Sequence, residues 1–228
     1  MDFQEFPKIA RLSRECVITE KLDGTNASVF IGDAGEFMTG SRTRWITPED
    51  DNYGFARWAL ENKDELMKLG PGHHFGEWWG AGVQRGYGLT EKRFSLFNTH
   101  RWSDHAVRPA CCSVVPVVYA GPFTTFYVTE ALLSLENLGS VAAPGFMQPE
   151  GVVIFHTASG VLFKKTIKGD EEGKHAEAHP PKPRLPRPPK DPSKGGRRIE
   201  QLPYEGQDKR KPKPMTLRDQ LDQIARLK

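Results

Sequence analysis

The segment Glu20-Lys21-Leu22-Asp23-Gly24-Thr25-Asn26 holds the residues best suited to chemistry. A lysine closes an apolar strand pattern, and a tight Asp-Gly turn follows at once. An ordinary strand-end lysine is a solvated edge charge. As a reagent it is a nucleophile, and only as the free amine. Later segments bear on the choice: Gly40-Ser41-Arg42-Thr43-Arg44, Phe75-Gly76-Glu77-Trp78, Phe94-Ser95-Leu96-Phe97-Asn98, Glu150-Gly151-Val152-Val153 and Phe163-Lys164-Lys165. Taken singly, Phe97 is core material, Glu150 a solvated strand start, and Arg42 and Arg44 surface charge. Glu77 is harder to dismiss. It lies among Phe75, Trp78 and Trp79, where a carboxylate without a partner is unfavourable, so a site is favoured over a surface role.

In this order the segments resemble the motifs of the covalent nucleotidyltransferases: ATP-dependent DNA ligases, RNA ligases and mRNA capping enzymes. Lys21-Leu22-Asp23-Gly24 matches the K-x-D-G nucleophile motif, and the fuller E-K-L-D-G-T-N is most similar to the RNA ligase branch that seals nicks in duplex RNA. The resemblance spans about residues 5–168, and the ordered set is far more specific than any one motif.

The chemistry this resemblance implies suits the residues. Lys21 attacks the α-phosphorus of ATP, pyrophosphate leaves, and a lysine–AMP phosphoramidate remains. The AMP passes to a 5′-phosphate, and a 3′-hydroxyl then displaces it to close the phosphodiester. Neighbouring cations, such as a divalent metal (Mg²⁺ or Mn²⁺) and Lys164, or burial, favour the free amine. Charge develops on phosphate oxygens in each step, so fixed cations stabilise the transition states; Lys164, Lys165 and Arg42 are the candidates. The resemblance also places Glu20 by its backbone or side chain near adenine, Phe97 stacked on the base, Glu77 on the ribose and Asn26 near the phosphates. Arg42 meets the ribose or the 3′-OH strand, and Glu150 holds the metal or orients Lys21. Strand alternation puts Lys164 and Thr166 on one face and Phe163 and Lys165 on the other. The family more often shows K-x-K, and here Thr166 takes the second place. Gly80-Ala81-Gly82-Val83-Gln84-Arg85-Gly86 does not match G-x-G-x-x-G; it resembles the family's G-x-G-x-Q-R loop, a substrate loop that puts Arg85, with Arg42 and Arg44, at the nucleic acid.

The elements that must position these residues read as α+β. Strands are expected at Cys16–Leu22, Ala27–Ile31, Glu36–Thr39, His73–Trp79, Phe94–Asn98 and Cys112–Tyr119. Gly151–Phe155 and Val161–Thr166 read as a hairpin. Thr47-Pro48-Glu49-Asp50-Asp51 carries a helix-start signature: cap, proline, acids. The helix it opens runs on to Leu69, before Gly70-Pro71-Gly72, and Thr129–Leu138 is a second helix. Hairpins with a few inserted helices imply antiparallel sheets with flanking helices, without alternating βαβ units. The resemblance makes this a ligase-type, ATP-grasp-like nucleotidyltransferase domain over residues 1–168. His73-His74 lacks companion ligands at zinc spacing, and Cys111-Cys112 lies in an apolar strand, where it packs in the core.

Composition divides the chain. Residues 1–167 carry 16 Lys+Arg against 19 Asp+Glu; residues 168–228 carry 16 against 10, with 10 of the 18 prolines. His179–Lys194 (HPPKPRLPRPPKDPSK) reads as extended and partly polyproline II, because proline removes donors and fixes φ. We therefore expect a basic, Pro-rich linker or tail over 169–214 and a short amphipathic helix over 215–228, patterned by Leu217, Leu221, Ile224, Ala225 and Leu227. Such a tail binds phosphates without reading sequence, or connects to a protein partner. Sealing enzymes of this superfamily usually add a C-terminal nucleic-acid-gripping domain, and no pattern for one is legible here. The longest apolar run, Ala110–Gly121, is too short for a membrane span and is broken by Ser113 and Pro116. The N-terminus lacks a signal-peptide pattern, and three cysteines, two of them adjacent, do not make a disulfide framework; a reduced, cytoplasmic protein is expected. The function these readings imply is an ATP-dependent polynucleotide ligase acting on RNA ends or nicks. The alternatives are a DNA ligase with the same chemistry, a capping enzyme using GTP, and a non-catalytic protein that binds nucleotide or RNA ends.

Overall fold

The computed structural model describes residues 6–169. The basic, proline-rich stretch and the amphipathic segment Thr216–Lys228 lie outside the described residues. Strands β1 (Glu15–Lys21), β8 (Val117–Pro122), β9 (Gly151–His156) and β10 (Val161–Thr166) form a four-stranded sheet of order β10-β9-β1-β8. Strands β2 (Thr25–Ile31), β3 (Phe37–Ser41), β4 (Trp45–Ile46), β5 (Gly72–Gly80), β6 (Lys92–Leu96) and β7 (Cys112–Val114) form a second sheet of order β4-β3-β2-β5-β6-β7. The three residues between β1 and β2 carry the chain from one sheet to the other.

Each sheet buries one face, as period-two alternation requires. In the first, Cys16, Ile18, Val152 and Ile154 pack against Val128, Ala131 and Leu135 of helix α4 (Thr125–Leu138). In the second, Ala27, Val29, Ile31, Trp78, Phe94 and Leu96 pack against Phe55, Ala56 and Ala59 of helix α1 (Phe55–Glu61), with Leu66 of the short α2 (Lys63–Leu66) and Trp102 of α3 (Thr99–Trp102). Cys112 belongs to that core and Cys111 packs against it. A third cluster joins Trp79 of β5 to Leu22, Tyr87, Val115 and Ala143, which lie outside the strands. Among the described residues no helix is long and apolar enough to cross a membrane.

Four expectations are corrected. The predicted strand Cys112–Tyr119 is two strands, β7 and β8, in different sheets. Pro116, which has no N–H for a ladder, lies at the break, and its carbonyl accepts from Glu20 N at 2.9 Å. The second sheet is mixed rather than antiparallel: β6 and β7 pair in parallel, Phe94 opposite Cys112. The helix starts at Phe55, not at Thr47-Pro48. Its donors are satisfied from further along the acidic run, because the Asp51 carboxylate accepts from Ala56 N (2.8 Å) and Arg57 N (3.1 Å). Residues 47–54 stay a loop, held where the Tyr53 carbonyl accepts from the Trp78 indole (3.1 Å) and Lys92 Nζ (2.6 Å). Helix α4 begins earlier than expected, with Thr124 Oγ1 accepting from Tyr127 N at 3.3 Å.

Candidate active site

Lys21 ends β1, an inner strand held by β8 on one side and β9 on the other. Its Nζ lies 2.5 Å from Glu150 Oε2, and both side chains are only partly exposed, at 23% and 17%. The two residues are 129 positions apart in the chain. They meet because β9, which follows Glu150, pairs with β1 so that Lys21 stands opposite Gly151.

The turn after Lys21 is clamped from three directions. Gly24 N donates to Glu77 Oε1 at 3.1 Å, Asp23 N donates to the Tyr87 hydroxyl at 2.8 Å, and Arg85 Nε donates to Asp23 Oδ2 at 2.6 Å. Arg85 also donates to the Gln148 carbonyl at 2.9 Å, which ties the turn to the residues just before Glu150. Glycine is required at position 24, since a Cβ there would lie 2.4 Å from the Trp78 carbonyl oxygen. Tyr87 is 2% exposed, and burial raises its hydroxyl pKa, so it stays a neutral acceptor and donor.

Glu77 projects from β5 toward this turn and is 8% exposed. Burial raises its carboxyl pKa to about 7, opposed by the charge of Lys21 and the Gly24 N–H and aided by Glu150 and Asp23. Asn26, opposite it on β2, approaches Glu77 Oε2 at 3.5 Å. The buried carboxylate expected from its apolar neighbours therefore sits beside the nucleophile candidate.

Sheet register sorts the remaining residues. Thr19, Val153 and Lys164 form one cross-strand row, and Lys21, Gly151 and Thr166 the next row on the same face. Two strand spacings, about 10 Å, separate Lys164 from β1. Glu20, Val152 and Lys165 form the intervening row and face the other way. Lys165, expected at the nucleotide, thus projects from the face opposite Lys21. Glu20 is 1% exposed, and its carboxylate accepts from Ser140 Oγ (2.6 Å), Val141 N (2.9 Å) and Ala142 N (3.0 Å). That leaves its main chain, not its side chain, for any contact near adenine.

Phe97 follows β6 and is 41% exposed, with its N–H bound to the Phe75 carbonyl at 3.0 Å. Arg42 lies exposed in the turn after β3, with no ion-pair partner among the described residues. Arg44 makes a bidentate pair with Asp50, at 2.5 and 3.0 Å. Arg85, expected at nucleic acid, is engaged within the clamp. The structure thus brings Lys21, Glu150, Glu77 and Asn26 together, with Lys164 on the same sheet face, and sets Arg42, Arg44 and Phe97 at the exposed margin. Sequence reasoning missed Tyr87, Ser140 and the Asp23–Arg85 pair. Of these, only the Q-R of the glycine-rich loop carried a signal, and it pointed to substrate rather than to scaffold.

Among the described residues no cluster of three or more His, Cys, Asp or Glu could hold a metal. His73 and His74 face opposite sides of β5, and His74 Nε2 donates to the Gly70 carbonyl at 2.9 Å. A hard divalent cation held by Glu150 and substrate phosphates fits this donor set, because Mg²⁺ commonly takes one or two carboxylates and keeps its other ligands as phosphate or water.

A family model described as RNA ligase matches residues 14–168. Among solved structures, three variants of Naegleria gruberi RNA ligase share the fold: one apo (20% identity, TM-score 0.52), one with ATP and Mn (19%, 0.50) and one with AMP and Mn (19%, 0.50). Each similarity covers 68% of this chain and 50% of the Naegleria chain, so this chain matches about half the length of that ligase. No curated protein matches the chain. With the family model covering the whole stretch from β1 through β10, the chain belongs to the RNA ligase family.

Proposed function

We propose that this protein is an ATP-dependent ligase that joins RNA ends through a covalent Lys21–AMP intermediate. The observation that carries this reading is the contact between Lys21 Nζ and Glu150 at 2.5 Å, at the end of a strand whose following turn is clamped. Glu150 orients the Lys21 amine; neighbouring cations, Lys164 and a divalent metal when bound, favour loss of its proton to solvent, and the free amine attacks the α-phosphorus of ATP. A P–N bond forms as the P–O bond to pyrophosphate breaks. An oxygen of the 5′-phosphate then attacks the same phosphorus, and the lysine leaves and regains its proton. A 3′-hydroxyl displaces AMP from that end. Lys164, on the Lys21 face, stabilises charge on the phosphate oxygens. A divalent cation, Mg²⁺ or Mn²⁺, neutralises charge on the departing pyrophosphate when bound. Glu77 holds the ribose of the nucleotide, Asn26 lies near its phosphates, and Phe97 supplies a ring for the base.

The experiment compares the protein with Lys21→Ala, each incubated with α-labelled ATP or GTP and a divalent metal. The expected result is label from ATP on denatured wild type and none on the variant. Label from GTP turns the reading to capping. No label from either, on folded protein free of pre-bound AMP, overturns it in favour of a protein that only binds ends. Sealing of nicks built with RNA or DNA on each side then separates an RNA ligase from a DNA ligase.

A further inference from the structure

The second sheet leaves one face uncovered as it runs away from Lys21. Along β5 the residues on that face are Trp79, Glu77, Phe75 and His73. Trp79, in the third core cluster, is 1% exposed and Glu77 is 8% exposed, while Phe75 and His73 are half-buried. Asn26, Ser28 and Phe30 of β2 share the face. Trp45 of β4 reaches it opposite Gly40 of β3. A Cβ at position 40 would lie 2.7 Å from Ser28 Oγ and 3.3 Å from the Trp45 ring, so glycine is what lets the indole lie on the sheet.

The rings there are ordered against one another. Trp45 stacks on His73 with centroids 5.5 Å apart and planes 24° apart. His73 lies 4.1 Å from Phe75, and Phe30 meets Trp45 and His73 edge-on at 6.1 and 6.0 Å. His73 Nε2 and Ser28 Oγ share a hydrogen bond at 3.0 Å. Burial lowers the His73 pKa to about 4, so the ring is a neutral aromatic at physiological pH. Trp45 is nonetheless 49% exposed, whereas Trp78, Trp79 and Trp102 are buried and Trp58 half-buried. Arg42 and Arg44 lie in the turn that joins β3 to Trp45. An aromatic row flanked by cations is what binds single strands: rings take the bases, cations the phosphates. Continuity with the nucleotide-facing residues Asn26 and Glu77 gives the row its direction toward Lys21.

We propose that Trp45, with His73, Phe75 and Phe30 beside it, is a stacking platform for unpaired bases of the strand end that is brought to Lys21. That the strand is RNA on its way to being sealed rests on the ligase reading; the platform itself requires only nucleic acid. The test uses the full chain and a labelled single-stranded RNA of about 12 nucleotides. Affinity is measured for wild type, Trp45→Ala and Trp45→Phe at about 0.1 and 0.3 M salt. Trp45→Ala is expected to bind about tenfold or more weakly, and Trp45→Phe to recover most of that loss. The ratio should persist at the higher salt, where binding by the basic residues 168–228 fades. At protein concentrations that saturate the RNA, a 2-aminopurine in it should be quenched by wild type and not by Trp45→Ala that keeps the wild-type circular dichroism, so that lost stacking is separated from lost folding.

Equal affinity and equal quenching for folded Trp45→Ala overturn the platform, even if wild type becomes adenylylated. If wild type takes no label from ATP yet Trp45→Ala loses affinity and quenching, the ligase reading fails and the platform stands. Unchanged RNA binding with a Trp45-dependent change in sedimented mass would make the face a contact between copies, and would also overturn the proposal.

Discussion

Two regions of this molecule present cations, and they are built in opposite ways. Lys21 ends an inner strand, and the turn after it is held by Glu77, Tyr87 and Arg85. Arg42 and Arg44 sit in an exposed turn, closed by Ser41 N donating to the Arg44 carbonyl at 2.8 Å and by the Arg44–Asp50 pair, whose side chains are 46% and 75% exposed. The first arrangement suits a nucleophile, whose reaction depends on sub-ångström placement. The second suits contacts that follow a bulky, variable strand of nucleic acid. Rigid placement here comes from backbone groups at the turn donating to buried side chains, Gly24 N to Glu77 and Asp23 N to Tyr87, with the Arg85–Asp23 pair beside them.

Breaking the rigid region should have the largest effect. Gly24→Ala pushes a Cβ to 2.4 Å from the Trp78 carbonyl, against backbone that cannot yield cheaply. We expect a loss of about 3 kcal/mol in urea unfolding together with loss of adenylylation at temperatures where the variant stays folded. A variant that unfolds at the wild-type midpoint would show that the turn is not clamped.

A smaller effect is expected from removing the buried charge. The carboxyl of Glu77 titrates near 7 in the folded chain, against an ordinary 4.5. Between those values the native state holds the proton that the unfolded chain releases, so this group makes stability fall as pH rises from about 4.5 to about 7. Glu77→Gln should match wild type near pH 5 and exceed it by about 2 kcal/mol at pH 8. Glu20, also raised by burial, is present in both proteins and cancels in the difference. Parallel pH profiles of the urea midpoint would refute the assignment.

The exposed region should give the smallest change. An exposed ion pair contributes about 0–1 kcal/mol, so Arg44→Ala should leave the thermal midpoint nearly unchanged. Its RNA affinity should depend less steeply on salt, with the logarithmic slope smaller by about 1. A large drop in stability would mean that the turn is as rigid as the one after Lys21.

Much of the site was legible because local patterns carry it. The apolar strand pattern of Cys16–Leu22 and the Asp-Gly turn place Lys21 at a strand end. The same two-residue period separates Lys164 from Lys165, and the register then joins Lys164 to the face of Lys21. The helix signature at Thr47-Pro48 misled because an acidic run satisfies such a pattern anywhere along its length. Which acid caps the helix depended on Tyr53 being held by Trp78 and Lys92 from another strand.

Sequence by itself determined which segments pair as hairpins, where the chain turns, and which residue types stand ready for phosphate chemistry, since these follow from periodicity and the φ restrictions of glycine and proline. Tertiary structure alone decided that Glu150 meets Lys21, that Arg85 and Tyr87 hold the turn, that the Glu20 carboxylate faces Ser140, and that Pro116 divides one apolar run between two sheets. The contacts among these join residues far apart in the chain, and their geometry is set by how each sheet buries its apolar face against its own helices, a condition that no local window of sequence contains.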